Sequence, residues 1–151
     1  MYSMSQGFLK NSDGSNIRIR NLQQTCCMKF LGVLIDEKLK FGIHCVVLLG
    51  KLSRVSAIIW KSRDILSKSP LRMLYLSLGW SQLTYGVLAW GRGNLVSINK
   101  IKSAQNQILK TIYGYHDNSI YKASNLLTFD ETYEWLGLIK LYSELKIRFS
   151  K

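Results

Sequence analysis

The chain has 151 residues and a mass of 17.4 kDa. Its residues are 47% hydrophobic and 20% charged, a composition that supports a packed core and excludes a disordered tail. The 21 lysines and arginines outnumber the 9 acids and give a net charge of +12, which favours nucleic acid or an acidic membrane surface as a partner. Three cysteines, at positions 26, 27 and 45, lack the spacing of a disulfide framework or a zinc site, and we interpret them as reduced core thiols.

The excess positive charge is confined to the middle of the sequence. Residues 1–37 carry four basic and three acidic side chains, and residues 115–151 carry five of each. Residues 38–114 carry twelve basic side chains and a single acid, Asp64. A surface of one sign beside a neutral remainder is typical of a phosphate-binding face, with a merely solvated face as the alternative.

Two short strands are predicted near the start of the chain. Residues 13–20 predict a turn followed by a strand, and the apolar, β-branched residues 28–35 predict a second strand. Gly32 inside the second strand indicates a bulge or a close approach of the backbone. We expect the two strands to pair as a small antiparallel ribbon, which on its own is marginally stable in water.

The first predicted helix begins at about residue 43 and is amphipathic. At about 100° per residue, its apolar residues fall within about 60° of one another. Its basic residues gather within about 100° on a roughly opposite face. The apolar residues are Leu48, Leu52, Val55, Ile59 and Leu66, and the basic residues are Lys51, Arg54, Lys61 and Lys68.

The second predicted helix begins with Ser69 as N-cap and Pro70 at the first helical position, and it extends to Gly91. It contains an uncharged stretch of 19 residues, 73–91, which is long enough to span a bilayer. Polar side chains and three glycines in that stretch favour a helix buried in protein over a membrane span.

Two more helices complete the predicted fold. Asn94 and Gly114 bound the third helix, and a loop follows to about residue 127. Thr128-x-x-Glu131 is a capping box that opens the last helix. We expect that helix to bury Trp135, Leu138, Leu141, Tyr142, Leu145 and Phe149. The predicted fold is therefore mainly α, a short antiparallel β ribbon followed by a bundle of about four helices.

Signatures of catalysis are missing from the sequence. Two-metal phosphoryl transfer needs clustered carboxylates, and the chain has no adjacent pair of aspartates. His44 and His116 are 72 residues apart and lack neighbouring metal-ligating residues, so we expect structural roles for both. We predict no catalytic residue, no metal site and no cofactor in this chain.

One ordered set of motifs resembles a known family. Residues 30–36, Phe-Leu-Gly-Val-Leu-Ile-Asp, followed by Leu39, Phe41 and His44, resemble the F/Y-L-G-x-x-I-D-x-x-L-x-W-x-x-H signature of non-LTR (LINE-type) retrotransposon reverse transcriptases. Phe41 stands where that family usually has Trp. Further blocks resembling the family follow in order at residues 51–54, 71–78, 83–91 and 103–112, and the resemblance covers about residues 17–145.

The resemblance implies that residues 1–40 are the end of a palm and that residues 41–151 are a thumb-like helical domain. The family's fingers and most of its palm, including the [FY]-x-D-D catalytic strand, are missing from this chain. The resemblance thus implies a fragment of an RNA-directed DNA polymerase that is inactive alone, whose parent enzyme would use Mg²⁺. We expect an intracellular location, nuclear or cytoplasmic, and no membrane association.

The resemblance also implies which residues bind the template–primer duplex of RNA or DNA. Lys29, Phe30, Leu31 and Gly32 would form a primer-grip-like ribbon. The residues expected to contact nucleic acid are Lys40, Lys51, Arg54, Lys61 and Lys68. Trp60, Tyr85 and Trp90 are candidates for stacking on bases, although aromatic residues at helical spacing usually belong to the core.

Two other functions remain open from the sequence. The chain is alternatively a free-standing basic helical module, derived from such an element, that binds RNA or a protein. A protein bound to a membrane surface is the weaker third possibility.

Overall fold

A computed structural model of the chain describes residues 8–10, 16–18, 27–114 and 119–149. The described chain is mainly helical, and short antiparallel β pairs precede the helices. This confirms the predicted architecture of a small ribbon followed by helices. The strands are β1 (Phe8–Lys10), β2 (Asn16–Arg18), β3 (Cys27–Phe30) and β4 (Val33–Asp36).

The predicted pairing of the strands is wrong. Residues 28–35 form a hairpin instead of one strand, because Leu31 (φ 44°) and Gly32 (φ 86°) turn β4 back onto β3. Positive φ at both turn residues is the pattern of a type I′ hairpin, and glycine adopts it without steric cost. The other predicted strand, of which Asn16–Arg18 lies within the described residues, pairs with β1.

The helices of the described chain differ in length and regularity. A π-helical segment, Tyr75–Trp80, continues directly from α2 into α3. The α-helices are α1 (Gly42–Ser62), α2 (Lys68–Leu74), α3 (Ser81–Thr84), α4 (Val87–Trp90), α5 (Leu95–Tyr113), α6 (Ser119–Ser124) and α7 (Phe129–Phe149).

Two predicted boundaries near residue 65 need correction. Helix α1 ends at Ser62, whose carbonyl accepts hydrogen bonds from the N–H groups of Ile65 (3.1 Å) and Leu66 (2.8 Å) in a closing turn. Leu66 and Lys68 therefore do not belong to α1. The N-cap of α2 is Ser67, which places Pro70 third in the helix, still in the first turn where its missing N–H leaves no bond unmade.

The long second helix predicted from the sequence is broken near its end. Tyr85 is extended and Gly86 takes a φ of 62°, which separates α3 from α4. The indole N–H of Trp90 donates to the Tyr85 carbonyl (2.9 Å) and holds this break closed. Within the described residues, α1 is the helix long and apolar enough to cross a membrane by length and composition alone.

The core lies mainly between α1 and α5. Asn94 caps α5, accepting from the N–H groups of Val96 (3.0 Å) and Ser97 (3.3 Å), and Gly114 ends it at a φ of 78°, as predicted. Elements α2 to α4, α6 and the start of α7 close around this pair. The fully buried large side chains include Leu52, Ile59, Tyr75, Trp90, Ile101, Ile108 and Leu109.

The C-terminal region confirms one prediction and overturns two. The capping box is present, since Thr128 Oγ1 accepts from the Glu131 N–H (3.3 Å) while Glu131 accepts from the Thr128 N–H (2.8 Å). Helix α6 lies in what was predicted to be a loop. The residues of α7 expected inside are exposed, because only the first turns of α7, around Phe129 and Thr132, enter the core.

Two glycines provide a matched test of this packing. A Cβ added at Gly93 would lie 2.6 Å from the Lys40 carbonyl oxygen, whereas one added at Gly50, in the middle of α1, meets nothing within 4 Å. We expect Gly93→Ala to lower the free energy of unfolding by more than about 2 kcal/mol. Gly50→Ala should raise it by about 0.5–1 kcal/mol. Urea denaturation of both variants checks this, and equal effects would contradict the close approach at Gly93.

Candidate nucleic-acid interface

Asp36 organises the junction between the β3–β4 hairpin and α1. Its carboxylate accepts from the backbone N–H groups of Lys40 (2.8 Å) and Gly42 (3.1 Å), and its carbonyl accepts from the N–H of Leu39 (3.0 Å). Leu39 and Phe41 take positive φ angles of 52° and 55°, each costing roughly 1–2 kcal/mol for a side chain of this kind. The carboxylate thus caps α1 and holds two strained residues in place.

His44 joins the hairpin to α1 from the buried side. The backbone N–H of Leu34 in β4 donates to His44 Nδ1 (3.4 Å), and the imidazole packs against the Trp90 ring with centroids 5.5 Å apart. Burial lowers the pKa of His44 from its ordinary value, and the positive charge of Lys51 lowers it further. A neutral imidazole with an unprotonated Nδ1 is the state that this contact requires.

The tip of the hairpin is held by the break between α3 and α4. The Tyr85 hydroxyl donates to the Leu31 carbonyl, and the ring lies against Gly32, where an added Cβ would be 3.3 Å from Cε1. On the other side of the turn, Val33 Cγ2 would be 3.1 Å from a Cβ added at Gly86. Residues more than fifty positions apart in the sequence therefore fix the orientation of the hairpin.

A cleft of about 210 Å³ lies between the hairpin, α1 and α3. Its polar wall is formed by Lys29 from β3, Lys51 from α1 and Gln82 from α3. Lys51 Nζ donates to Gln82 Oε1 (2.8 Å), a neutral partner that leaves the lysine charge uncompensated. The remaining lining residues are Gly32, Leu34, His44, Val47, Leu48 and Tyr85.

The cleft brings together only part of the predicted site. Lys29, Gly32 and Lys51 line it, while Phe30 and Leu31 are exposed on the hairpin beside it. Sequence reasoning missed Gln82, because no motif or spacing connects it to Lys51 across 31 positions. Lys40 and Lys68 lie outside the cleft, one in the loop before α1 and the other at the start of α2.

Three of the predicted basic residues share one exposed face of α1. Lys51, Arg54 and Lys61 fall within about 80° around the helix and extend over about 15 Å along its axis. Among the described residues, none of these three side chains forms an ion pair with an acid. We call Lys51, Arg54 and Lys61 the α1 basic face.

Other basic residues of the middle segment have partners within the protein. Lys102 on α5 pairs with Asp130 on α7 (2.7 Å). Arg72 on α2 donates to the Ser124 carbonyl of α6 (3.2 Å). These side chains stabilise contacts between helices, whereas those of the α1 basic face lie exposed together on one helix surface.

The aromatic candidates for base stacking separate into two groups. Trp90 is completely buried and belongs to the core. Trp60 and Tyr85 are 55% and 54% exposed, which contradicts the expectation that aromatic residues at this spacing lie in the core. The guanidinium of Arg63 stacks over the Trp60 ring at 3.4 Å, at the end of α1. Trp60 and Lys61 line a groove of about 640 Å³ between α1 and α5.

The cysteines and the acids offer little reactive chemistry in the described part of the chain. Cys45 is buried, and its burial raises the pKa of the thiol, whereas Cys27 is exposed and is not the core thiol that we expected. Cys26 lies outside the described residues. Residues 27–114 and 119–149 contain no cluster of three His, Cys, Asp or Glu side chains that could hold a metal ion.

Comparison of the chain with models of known protein families, with curated protein sequences and with solved structures finds no match.

The His44 contact predicts how stability depends on pH. Folding lowers the pKa of His44 from the ordinary histidine value of 6.5. Below about that pH, the unfolded state therefore binds more protons than the folded state. The free energy of unfolding should be highest above that pH and should decrease as the pH falls toward 5. His44→Asn should flatten this decrease when urea denaturation is repeated across the range. An unchanged pH profile in the variant would contradict a neutral, buried His44.

Proposed function

We propose that this chain is the palm end and thumb of a non-LTR retrotransposon reverse transcriptase, and that it binds a template–primer duplex without catalysing polymerisation. The observation that carries the proposal is the convergence of the motif residues. Asp36 and His44 come from one block of the resemblance and Tyr85 and Trp90 from another, and all four lie at the junction of the hairpin with α1 and the α3–α4 break. The spaced motif therefore has one physical function here, which is to set the hairpin against the first long helix.

The exposed chemistry at this junction suits a polyanionic backbone. Lys29 and Lys51 line the cleft, and Arg54 and Lys61 continue the positive charge along α1. Lysine and arginine side chains on a helix face bind phosphates without reading bases, which gives affinity with little sequence preference. A polymerase thumb needs this property, because it must hold whichever duplex is being copied.

The hairpin tip provides the second element of the proposed interface. Leu31 is 74% exposed at the turn, yet the Tyr85 hydroxyl and the close approach at Gly32 hold its backbone in position. An exposed apolar tip on a fixed backbone can support the sugar and base edge of a primer end without forming a covalent bond. In the proposed function, the hairpin positions the primer and the α1 basic face holds the backbone of the duplex.

The salt dependence of duplex binding tests the proposed interface. Each neutralised phosphate releases counterions, with a slope of about 0.9 per contact on B-DNA. Changing Lys51, Arg54 and Lys61 together to Gln should lower the slope of log K against log[salt] by up to about 3 units. Fluorescence anisotropy with a labelled RNA–DNA hybrid measures the slope, and circular dichroism checks that helicity is unchanged.

The matched control uses basic residues from the charge-balanced tail. Lys122, Lys140 and Lys146 are exposed on α6 and α7, and their change to Gln should leave the slope nearly unaltered. If the control variant flattens the slope as much, binding is diffuse electrostatics and the proposed interface is wrong. Preference for single-stranded RNA over a hybrid with a recessed 3′ end would instead favour the free-standing RNA-binding module.

The chain should not extend a primer. Its sequence has no paired aspartates for two-metal phosphoryl transfer, so we expect no nucleotide incorporation on a primed RNA template with Mg²⁺ or Mn²⁺. A gel-based extension assay with radiolabelled primer measures this. Template-dependent extension by protein freed of contaminating polymerase would overturn the assignment of this chain as a non-catalytic part.

A further inference from the structure

Helix α7 carries an exposed apolar row that no described element covers. We call it the α7 seam, and its residues are between 42% and 86% exposed. It lies roughly 130° around the helix from Phe129, Thr132 and Leu136, which pack toward the core. The members of the seam are Trp135, Leu138, Tyr142, Leu145 and Phe149.

The spacing of the residues in the α7 seam indicates which kind of secondary structure packs against them. Its residues follow one another at intervals of three, four, three and four positions. Apolar residues that average 3.5 positions apart form the contact line of a left-handed coiled coil, in which another helix packs alongside at a shallow angle. The complementary surface is therefore a helix with a similar apolar row, instead of a sheet or a small molecule.

We propose that the α7 seam pairs with the α7 seam of a second copy of this chain, in an antiparallel arrangement. The charges that flank the seam support this occupant. Glu134 and Arg148 occupy equivalent flanking positions at opposite ends of the row, fourteen residues and two heptads apart. In an antiparallel pair that places Leu138 beside Tyr142 of the second copy, Glu134 of each copy lies opposite Arg148 of the other. Leu141, which is 54% exposed, then meets its own counterpart at the two-fold axis.

The area available is sufficient for a specific dimer. The seam residues together with Ile139 and Leu141 are large side chains, each able to bury on the order of 100 Å² at such a contact. The two copies together would bury roughly 1,400 Å², which lies in the lower part of the range for stable interfaces. We therefore expect micromolar self-association, on a surface separate from the cleft and the α1 basic face and independent of the proposed polymerase function.

Sedimentation equilibrium of the whole chain tests this pairing. The chain should dimerise with a Kd on the order of 10 μM. Tyr142→Glu, which places a charge in the seam, should weaken the dimer at least about tenfold. Ser143→Glu adds the same charge at the adjacent exposed position outside the seam and should leave the Kd unchanged, while circular dichroism checks that both variants keep their helicity. A monomer at about 100 μM, or equal weakening by both variants, would overturn the proposal.

A charge exchange tests the antiparallel register. Glu134→Arg alone and Arg148→Glu alone each create two like-charged contacts, and each should weaken the dimer by roughly tenfold. The double variant restores opposite charges across the interface and should recover the Kd of the parent chain. Failure of the double variant to recover, with both single variants weakened, would overturn the antiparallel arrangement. A chain that dimerises with no response to any of these changes associates through another surface, which also overturns the proposal.

Discussion

The candidate site depends on one constraint, which is that the Asp36 carboxylate accepts hydrogen bonds from two backbone N–H groups. Leu39 and Phe41 both take left-handed conformations, so the loop between the hairpin and α1 is unfavourable without an acceptor to hold it. The same contacts cap α1, since its own N-cap residue provides no side-chain hydrogen bond. One carboxylate thereby determines where the longest basic helix begins relative to the hairpin. The position of Lys51 opposite Lys29 follows from it.

The packing of the helices determines what each basic side chain of the middle segment contacts. Of the basic residues in the middle segment, some stabilise contacts between helices, as Arg72 and Lys102 do. Lys51 instead meets the neutral Gln82 and lies close enough to His44 to lower the pKa of that imidazole. The field around the cleft is therefore positive in the absence of a ligand. In the proposed function, a bound phosphate would offset the positive charge of Lys29 and Lys51.

Sequence patterns predicted the features that depend on neighbouring residues and failed where distant contacts decide. Asn94, Gly114 and the Thr128–Glu131 capping box act within a few positions, and each was predicted correctly. The apolar run of residues 28–35 hid the hairpin turn at Leu31 and Gly32, because a glycine inside a strand pattern indicates a bulge as readily as a reversal of the chain. The cleft was beyond prediction, since Gln82 comes from α3 and Tyr85 from the break that follows it, both far in sequence from Lys29 and Lys51.

Helix α7 shows a second limit of prediction from sequence. Its pattern indicates an apolar face but does not indicate which element packs against that face. The body of the protein packs against the first turns of α7, and the residues beyond Leu138 find no partner among the described elements. A helix of about twelve residues is marginally stable in water without such contacts. If a second copy supplies them, the end of α7 is stabilised by association, and its stability depends on protein concentration. The folding of this helix and the assembly of the chain are then a single equilibrium, while the junction that forms the cleft is stabilised within one copy.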